Sequence, residues 1–333
     1  MMRRTFIALL IVFLITRCTD NRKSKNTVPE KPVRKVDVPT FNPDSAFFFV
    51  EKQVAFGPRI PNTKAHLLTG EYLIQTLKRY GAKVSTQEFE SRSFDGQNLH
   101  LRNIIASYFP EKKKRVLLAA HWDTRPFADK DAEAKESKFD GANDGASGVG
   151  VLMEIARVLG QEKMPDVGVD IIFFDGEDWG EKNGTQDRIP LPAGLEEWWC
   201  LGSQHWSKNK HQPNYSAYFG ILLDMVGARH AQFHKEGYSM EFAPGIADKV
   251  WSQADRLGYS HIFVPTKQEA IIDDHYFVNT RAKIPMIDIV HFQPGIGYFG
   301  DFHHSRKDNM ELIDRKILNA VGETVLAVVY HEE

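Results

Sequence analysis

The chain is poor in cysteine and has no dense patch of charge of one sign. Its 333 residues include only two cysteines, Cys18 and Cys200, so a disulfide framework is not expected. Lys and Arg together number 42 against 44 Asp and Glu, which gives a formal net charge of −2. The short basic run EKKKR at 111–115 is typical of a solvated turn before a strand. Nothing in this composition favours binding to nucleic acid.

Long apolar runs are scarce as well. The N-terminal run TFIALLIVFLIT at 5–16 has twelve residues, which is short for a membrane span, and it follows the basic MMRR as in an export signal. Cys18 stands where a bacterial lipoprotein is cleaved and lipidated, although Arg17 is not the small residue usual before such a cysteine. A retained membrane anchor is the alternative. We therefore predict an exported, periplasmic protein that is tethered to the inner or the outer membrane.

The segment from 19 to 41 is polar, basic and proline-containing, and it has no apolar period. Such a composition predicts a flexible tether. The chain then divides into an export segment at 1–18, the tether at 19–41 and a single catalytic domain at 42–333. Hydrophobic residues make up 42% of the chain and aromatic residues 11%, which is enough for one large globular core.

Apolar patterns alternate between strand and helix periods along this domain, and we find no internal repeat. Helices are predicted at 42–56, 62–81, 145–160 and 309–332, and strands at 82–91, 100–109, 115–121, 167–175, 218–227 and 284–290. This alternation predicts a three-layer α/β/α sandwich with a central mixed, mainly parallel sheet. In such folds a ligand binds beyond the carboxyl ends of the strands.

Acidic residues follow one of these strands in an unusual concentration. The stretch VDIIFFDGEDWG at 169–180 is apolar enough to be buried, yet Asp175, Glu177 and Asp178 come directly after it. Buried carboxylates are unfavourable without a positive partner, and the stretch contains no Lys or Arg. A metal ion is one such partner.

Other strand ends carry residues of the types that bind zinc in proteins. They are found in LLAAHWDTRP, FDGANDGASGVG, ILLDMVGA and DFHHSRKDN, and they are His121, Asp123, Asp144, Asp224, His303 and His304. A strand-end Asp alone is usually a helix cap and a lone His is usually structural. The ordered series is harder to explain in that way, because zinc takes imidazole nitrogen and carboxylate oxygen and keeps an open position when it is catalytic.

At these motifs the chain resembles the co-catalytic zinc aminopeptidases. HWD, GANDGASG, GED, LLD and HHS match the pattern of that superfamily in order, over roughly residues 45–331. The resemblance implies a zinc aminopeptidase-like fold and makes Glu177 the general base. It implies five possible metal ligands, namely His121, Asp144, Asp178, Asp224 and His304.

A closer resemblance exists to the animal-type zinc glutaminyl cyclases. It rests on FFDGED, WWCLGSQHW at 198–206, LLDMVGA, IDDHYFV at 272–278 and HSRKDNMELID at 304–314. Aminopeptidases typically have Ser-Asp-His where this chain has Asp-Asp-His, so Asp273 is the discriminating residue. The cyclase resemblance implies one zinc ion on Asp144, Asp178 and His304, with a second ion left open. It also implies a catalytic acid network of Glu177, Asp224 and Asp273.

The chain departs from the cyclase pattern in places. Asp178 replaces the usual second Glu, His303 replaces a Trp beside the final ligand, and 181–197 looks like an insertion that brings Trp198 or Trp199 to the substrate or packs on the surface. The residues with substrate-binding or supporting roles are His121, Trp179, His303, Phe299, His275 and His291.

The implied reaction converts N-terminal Gln of peptides or proteins to pyroglutamate with release of ammonia. The partners are then Gln-initiated peptides, and the membrane only through the N-terminal anchor. Two alternatives stay open: an aminopeptidase with two zinc ions, and a non-catalytic peptide-binding relative.

Overall fold

The apolar runs of the sequence form the strands of a six-stranded sheet. A computed structural model describes residues 36–182, 185, 188–293, 295 and 298–333. Its strands are β1 (Lys83–Arg92), β2 (Asn98–Tyr108), β3 (Arg115–His121), β4 (Gly168–Phe174), β5 (Phe219–Asp224), β6 (Phe233–Lys235), β7 (Phe263–Lys267) and β8 (Met286–Val290). The order in the large sheet is β1-β2-β4-β3-β5-β8, and β6 pairs with β7 in a separate sheet.

Strands β4, β3, β5 and β8 run parallel, whereas β2 is antiparallel to both β1 and β4. The prediction of a mixed, mainly parallel sheet is therefore confirmed. The helices are α1 (Pro43–Ala55), α2 (Lys64–Arg79), α3 (Ala146–Gln161), α4 (Leu201–Lys208), α5 (Gly237–Phe242), α6 (Pro244–Arg256), α7 (Asp274–Phe277) and α8 (Arg315–Tyr330). Among the helices of the described residues, none is both long and apolar enough to cross a bilayer.

Alternation along the strands divides the interior into two cores. In β3, Leu118 faces a core built with α1, α3, α6 and α8, while its neighbours Leu117 and Ala119 face a core that includes Trp206 of α4. Successive side chains of a strand point to opposite faces. Helices therefore cover both faces of the sheet, which gives the predicted three layers.

The folded unit begins before the boundary expected from composition. Val36–Glu333 form one compact unit. Phe41 is 2% exposed, and Val36 and Val38 pack against the core, although the sequence assigned 36–41 to the tether. Their apolar side chains bury against the domain, which a polar neighbourhood in the sequence did not indicate. The predicted export segment and residues 19–35 of the tether lie outside the described residues.

The last predicted helix is shorter than expected. A 3₁₀ turn at Met310–Leu312 precedes it, Ile313 is extended, and Asp314 accepts a hydrogen bond from the Lys316 N–H at 2.8 Å as the cap of α8. The region between β5 and β8, to which no pattern gave a clear structure, contains β6, α5, α6, β7 and α7.

Candidate active site

The carboxyl ends of the central parallel strands meet at one cavity of about 550 Å³. Strand β3 ends at His121 and β5 ends at Asp224, while Glu177 and Asp178 follow β4. Asp144 lies just before α3. The topology therefore brings together side chains that are more than 100 residues apart in sequence, at the edge where α/β folds bind ligands.

Two of the predicted ligands, Asp144 and Asp178, converge on the third, His304. Its Nε2 lies 3.0 Å from Asp178 Oδ1 and 3.6 Å from Asp144 Oδ2. Two ligands of a tetrahedral zinc ion, each about 2.0–2.2 Å from the metal, lie roughly 3.3–3.6 Å apart, so the spacing is compatible with zinc. Burial, together with the charge of Asp144, raises the pKa of Asp178. Asp144 Oδ2 is buried without a hydrogen-bond partner among the described residues. A cation would offset both features, and these residues fit zinc.

Two buried carboxylates hold the main chain of this site. Asp123 accepts hydrogen bonds from the N–H groups of both Glu177 and Asp178, each at 3.1 Å. Asp308 does the same for Asn143 at 2.6 Å and Asp144 at 3.0 Å. Each ligand-bearing turn is therefore fixed through its backbone.

Glycine is required where the ligand loop enters α3. Gly145 has φ +79°, and a Cβ there would lie 2.8 Å from the Asp123 carbonyl oxygen and 2.9 Å from His121 Cε1. Three residues on, a Cβ at Gly148 would lie 2.2 Å from the Leu223 carbonyl oxygen. Only glycine lets the loop and the start of α3 approach the ends of β3 and β5 this closely.

His304 has a carboxylate behind it. Its Nδ1 lies 3.6 Å from Asp129 Oδ1, and Asp129 is paired with the Arg125 guanidinium at 2.9 Å. Burial alone would raise the pKa of Asp129, but the neighbouring His304 and the hydrogen bonds from Arg125 hold it well below its usual value. An ionised carboxylate on the second ring nitrogen orients a histidine toward a metal.

One tryptophan of the predicted pair reaches the cavity. The Trp199 indole stacks on the His304 ring, with centroids 5.9 Å apart and planes within 6°, and the Arg125 guanidinium lies 4.6 Å from the indole. Trp198 instead packs in an apolar cluster with Phe94. The cluster also contains Trp179, which is 4% exposed and is not among the residues that line the cavity, so of its two predicted roles the supporting one fits its position. Its indole turns away from the acid pair into apolar neighbours.

His303 and Phe299 form the predicted aromatic wall of the cavity. Their ring centroids lie 4.5 Å apart. The Lys130 ammonium donates to His303 Nδ1 at 2.7 Å, and His303 Nε2 lies 3.9 Å from Asp144 Oδ2. Burial lowers the pKa of His303 well below its usual value, and the neighbouring His304 lowers it further.

His121 lies between Asp144 and Asp224. Its Nε2 lies 3.0 Å from Asp144 Oδ1 and 3.2 Å from Asp224 Oδ1. Asp144 therefore points one oxygen at His121 and the other at His304, which is the arrangement of a bridging carboxylate. Ligand atoms of His121, Asp144 and Asp224 lie within 4.8 Å of one another, so this second set also has the spacing of a cation site.

The three predicted catalytic acids, Glu177, Asp224 and Asp273, all line the cavity. Burial raises the pKa of Glu177 well above its usual value; the charge of His121 opposes this shift and that of Asp273 adds to it. Burial likewise raises the pKa of Asp224 to about 7. Because mutual repulsion falls when neighbouring carboxyls share a proton, these groups behave as one coupled system.

Two predicted histidines stand behind the cavity rather than in it. His275 Nε2 is paired with Glu236 Oε2 at 2.9 Å, and both side chains are fully buried. His291 Nδ1 accepts from the Gln232 N–H at 3.2 Å, and burial lowers the pKa of His291 to about 4. Both have supporting positions.

The third acid of the stretch at 169–180, Asp175, belongs to the fold. Asp175 bonds His66 Nε2 through both oxygens at 2.9 Å and accepts the Arg102 N–H at 2.6 Å. His66 in turn stacks on Trp122, with centroids 4.2 Å apart. Asp175 therefore joins α2 to the sheet.

Several residues at the site have roles that the sequence analysis did not assign. Asp123 was considered only as a residue of zinc-binding type, and Asp308 lay within a quoted motif without a role. Cys200 donates its thiol to Glu177 Oε1 at 3.3 Å, and the only hint was its place in WWCLGSQHW. Glu236 and Asp288 had no signal.

Known proteins resemble this chain in sequence and in fold. Residues 103–329 match the profile of peptidase family M28. The glutaminyl-peptide cyclotransferase of Drosophila melanogaster is 27% identical over 278 residues, 77% of this chain and 72% of its own length. The crystal structure of Bacteroides thetaiotaomicron glutaminyl cyclase bound to N-acetylhistamine is 50% identical with a TM-score of 0.85, over 89% of this chain and 100% of that one.

A Zn-dependent exopeptidase from Parabacteroides distasonis is equally similar. It is 51% identical with a TM-score of 0.85, and the match covers 89% of this chain and 100% of that one. These two solved structures are thus equally similar to the chain overall. The profile match and the identity to solved relatives nevertheless establish the family. The chain belongs to peptidase family M28 and, within it, to the glutaminyl cyclase branch.

Proposed function

We propose that the chain is a zinc-dependent glutaminyl-peptide cyclotransferase, which converts the N-terminal Gln of peptides and proteins to pyroglutamate and ammonia. The observation that carries this proposal is the presence of Asp273 in the cavity beside Glu177 and Asp224. The aminopeptidase pattern has Ser at this position, and a neutral hydroxyl there would not form an acid network.

Zinc would be held by Asp144, Asp178 and His304. His303 is the competing third ligand, because its ring also lies within 4.8 Å of ligand atoms of Asp144 and His304. We prefer Asp178, since it brings a negative charge and its Oδ1 lies 3.0 Å from His304 Nε2, whereas Lys130 already donates to His303. A zinc ion bound there supplies a Lewis acid for the γ-carbonyl of the substrate.

Glu177 would carry the proton. The α-nitrogen of the substrate attacks its own γ-carbon, the new C–N bond closes the ring, and the bond to the amide nitrogen breaks. Glu177 takes a proton from the α-nitrogen and gives it to the departing nitrogen, which leaves as ammonia. Proton transfer by a positioned carboxylate contributes roughly 10²–10⁴-fold to such a rate. Its raised pKa suits a group that must both accept and release a proton near neutral pH.

Asp224 and Asp273 would hold a shared proton next to Glu177. Each is buried, and the charge of Asp273 contributes to the raised pKa of both Glu177 and Asp224. A protonated carboxyl can donate a hydrogen bond to its neighbour and orient the attacking amine. Because the attack is intramolecular, positioning of the amine carries much of the acceleration.

A second candidate function is hydrolysis by a two-zinc aminopeptidase. The observation that favours it is the second set of His121, Asp144 and Asp224 with ligand spacing. We propose a single zinc because Asp224, when it shares a proton with Asp273, is a poor ligand for a second ion.

We also propose that the basic and apolar N-terminus exports the protein to the periplasm and tethers it to a membrane.

The test is mass spectrometry of a Gln-initiated peptide and a Leu-initiated peptide after incubation with the purified, zinc-loaded protein. We expect the Gln peptide to lose one ammonia and keep every residue, and we expect Glu177→Gln to abolish this change. Release of a free N-terminal amino acid from either peptide would support the aminopeptidase instead. No change to either peptide by a zinc-loaded protein would contradict both enzymes.

A further inference from the structure

We infer that Glu236 is a positioning residue for the cyclisation, because the structure makes it the clamp that fixes Asp273 at the cavity. The inference rests on the proposed function and extends it to a residue that does not line the cavity. Glu236 is completely buried at the start of α5.

The Glu236 carboxylate accepts hydrogen bonds on both sides of Asp273. Oε1 accepts from the Ile271 N–H at 2.9 Å, and Oε2 accepts from His275 Nε2 at 2.9 Å. Ile271 and His275 are each two residues from Asp273. One side chain therefore anchors the chain before and after the discriminating acid.

The same carboxylate caps α5. It accepts from the Tyr238 N–H at 2.8 Å, and from both the N–H and the hydroxyl of Ser239 at 2.6 and 2.8 Å. A helix cap needs only the first contacts. The bonds to Ile271 and His275 go beyond capping, because they reach another segment of the chain.

That segment lies directly on the start of the helix. A Cβ at Gly237 would come within 2.5 Å of the Ala270 main-chain nitrogen. Ala270, Ile271 and Ile272 line the cavity together with Asp273. Glu236 therefore fixes this wall of the cavity as well as the acid at its end.

A second route connects Glu236 to Asp273 through β8. Ser239 Oγ, which donates to Glu236, accepts the Asp288 N–H at 2.9 Å. The Asp288 side chain is fully buried, one of its oxygens lies within 4.8 Å of a carboxylate oxygen of Asp273, and His275 Nδ1 lies 3.9 Å from Asp288 Oδ2. The strand behind Asp273 is thus held by the same clamp.

Stability alone is a weak reason to keep a buried Glu236–His275 pair. Removing two charges from water is unfavourable, and well-packed apolar residues often stabilise a protein as much. A buried carboxylate surrounded by five donors does, however, define the position of each donor. This favours a role in geometry.

The experiment compares steady-state cyclisation and thermal unfolding of four variants with the wild type: Glu236→Gln, Asp273→Asn, the double variant and Glu154→Gln. Glu236→Gln replaces one acceptor by an amide NH₂ that must face donors. We expect it to lower kcat roughly 10- to 100-fold with little change in KM, as a small misplacement of a reacting group does. In the Asp273→Asn background we expect Glu236→Gln to cause almost no further loss of kcat.

Glu154→Gln is the matched control. Glu154 is also a fully buried glutamate; it accepts the Asn42 N–H at 3.1 Å and pairs with Arg157 at 2.7 Å. We expect this variant to lose stability and to keep the kcat of the wild type.

Three results would overturn the inference. They are an unchanged kcat in Glu236→Gln, losses of kcat that multiply independently in the double variant, and an equal fall of kcat in Glu154→Gln. Should Glu236→Gln fail to fold, Ser239→Ala removes one donor of the clamp; we expect a smaller loss of kcat that also disappears in the Asp273→Asn background, and wild-type kcat in Ser239→Ala would contradict the clamp. A wild-type protein without cyclase activity would refute the proposed function itself, which separates the two failures.

Discussion

Asp144 and Asp224 contact the same nitrogen of His121, yet the pKa values of their carboxyl groups are shifted in opposite directions. Burial tends to raise the pKa of both, and the His121 hydrogen bond and charge lower both. For Asp144 the charges of His304 and Lys130 add to His121, and its pKa falls below the usual value. For Asp224 the charges of Asp273 and Asp144 oppose His121, and its pKa rises to about 7.

The cavity therefore has two sides with different electrostatics. We call Asp144, Asp178 and His304 the metal side, and Glu177, Asp224 and Asp273 the acid side. Basic groups Arg125 and Lys130 stand around the metal side. Among the described residues, the ion pairs of the acid side and of Asp288 behind it are made only with histidines, His121 and His275. Under the proposed function, the cation would bind where Asp144 has a lowered pKa, and the shared proton would stay where Glu177 and Asp224 have raised pKa values.

The largest expected effect comes from the acid side. Glu177→Gln removes the proton carrier and leaves the three metal-side residues intact, so we expect kcat to fall roughly 10²–10⁴-fold. Steady-state kinetics and zinc content by atomic emission measure the two outcomes together. A variant that loses zinc as well would show that the two sides are not separable.

Replacing Asp273 should reduce the electrostatic difference between the two sides of the cavity. Asp273→Ser removes a negative neighbour of Asp224, so the pKa of Asp224 should fall and Asp224 should become available to a cation. We expect cyclisation to drop roughly 10- to 100-fold and bound zinc to rise from one ion to two when zinc is in excess. One bound ion in both proteins, measured after identical dialysis, would contradict this account of why a single ion binds.

The metal side can be weakened without touching a ligand. Asp129→Asn removes the charge behind His304, and loss of such a partner typically lowers metal affinity 10–100-fold. Competition with a chelator measures that affinity. We expect full zinc loading at high zinc concentration to restore wild-type kcat, and a kcat that stays low at saturation would give Asp129 a direct part in the reaction.

The smallest effect concerns the clamp below the acid side. Burial opposes ionisation of Glu236, but the His275 hydrogen bond and charge and the main-chain donors lower its pKa from 4.5 to about 2. A carboxyl with a lowered folded-state pKa contributes stability that is present above its unfolded pKa and is lost as pH falls toward the folded value. We expect the difference in unfolding free energy between wild type and Glu236→Gln to shrink by about 1 kcal/mol between pH 7 and pH 4. Denaturant unfolding of zinc-free protein at both pH values measures it, and a constant difference would contradict the lowered pKa.

The sequence predicts the fold and the position of the site well for a physical reason. Parallel strands end at one sheet edge, so residues such as His121 and Asp224 that follow apolar runs must meet there. Nothing comparable defines Glu236, whose partners Ile271 and Ser239 contribute main-chain N–H groups that have no signature in a sequence. The same holds for Asp175, which looked like a further site acid until its contact with His66 of α2 placed it in the fold.

Neighbouring residues in irregular segments are a second limit. Trp198 and Trp199 are adjacent residues of the same type, yet Trp198 packs in an apolar cluster and Trp199 stacks on His304. Outside a helix or strand there is no period that assigns side chains to faces. The sequence left two roles open for Trp179 for the same reason.

The absence of room for a side chain at Gly145 and Gly148 has a consequence for folding. The ligand loop and the start of α3 fit between the ends of β3 and β5 only when those strands and the buried helix are already packed. The site therefore depends on the packing of α3 against these strands, and no partly unfolded form that separates them should keep the metal side assembled. Heat inactivation and global unfolding should consequently follow one curve, so residual activity after heating reports directly on the fraction of folded molecules.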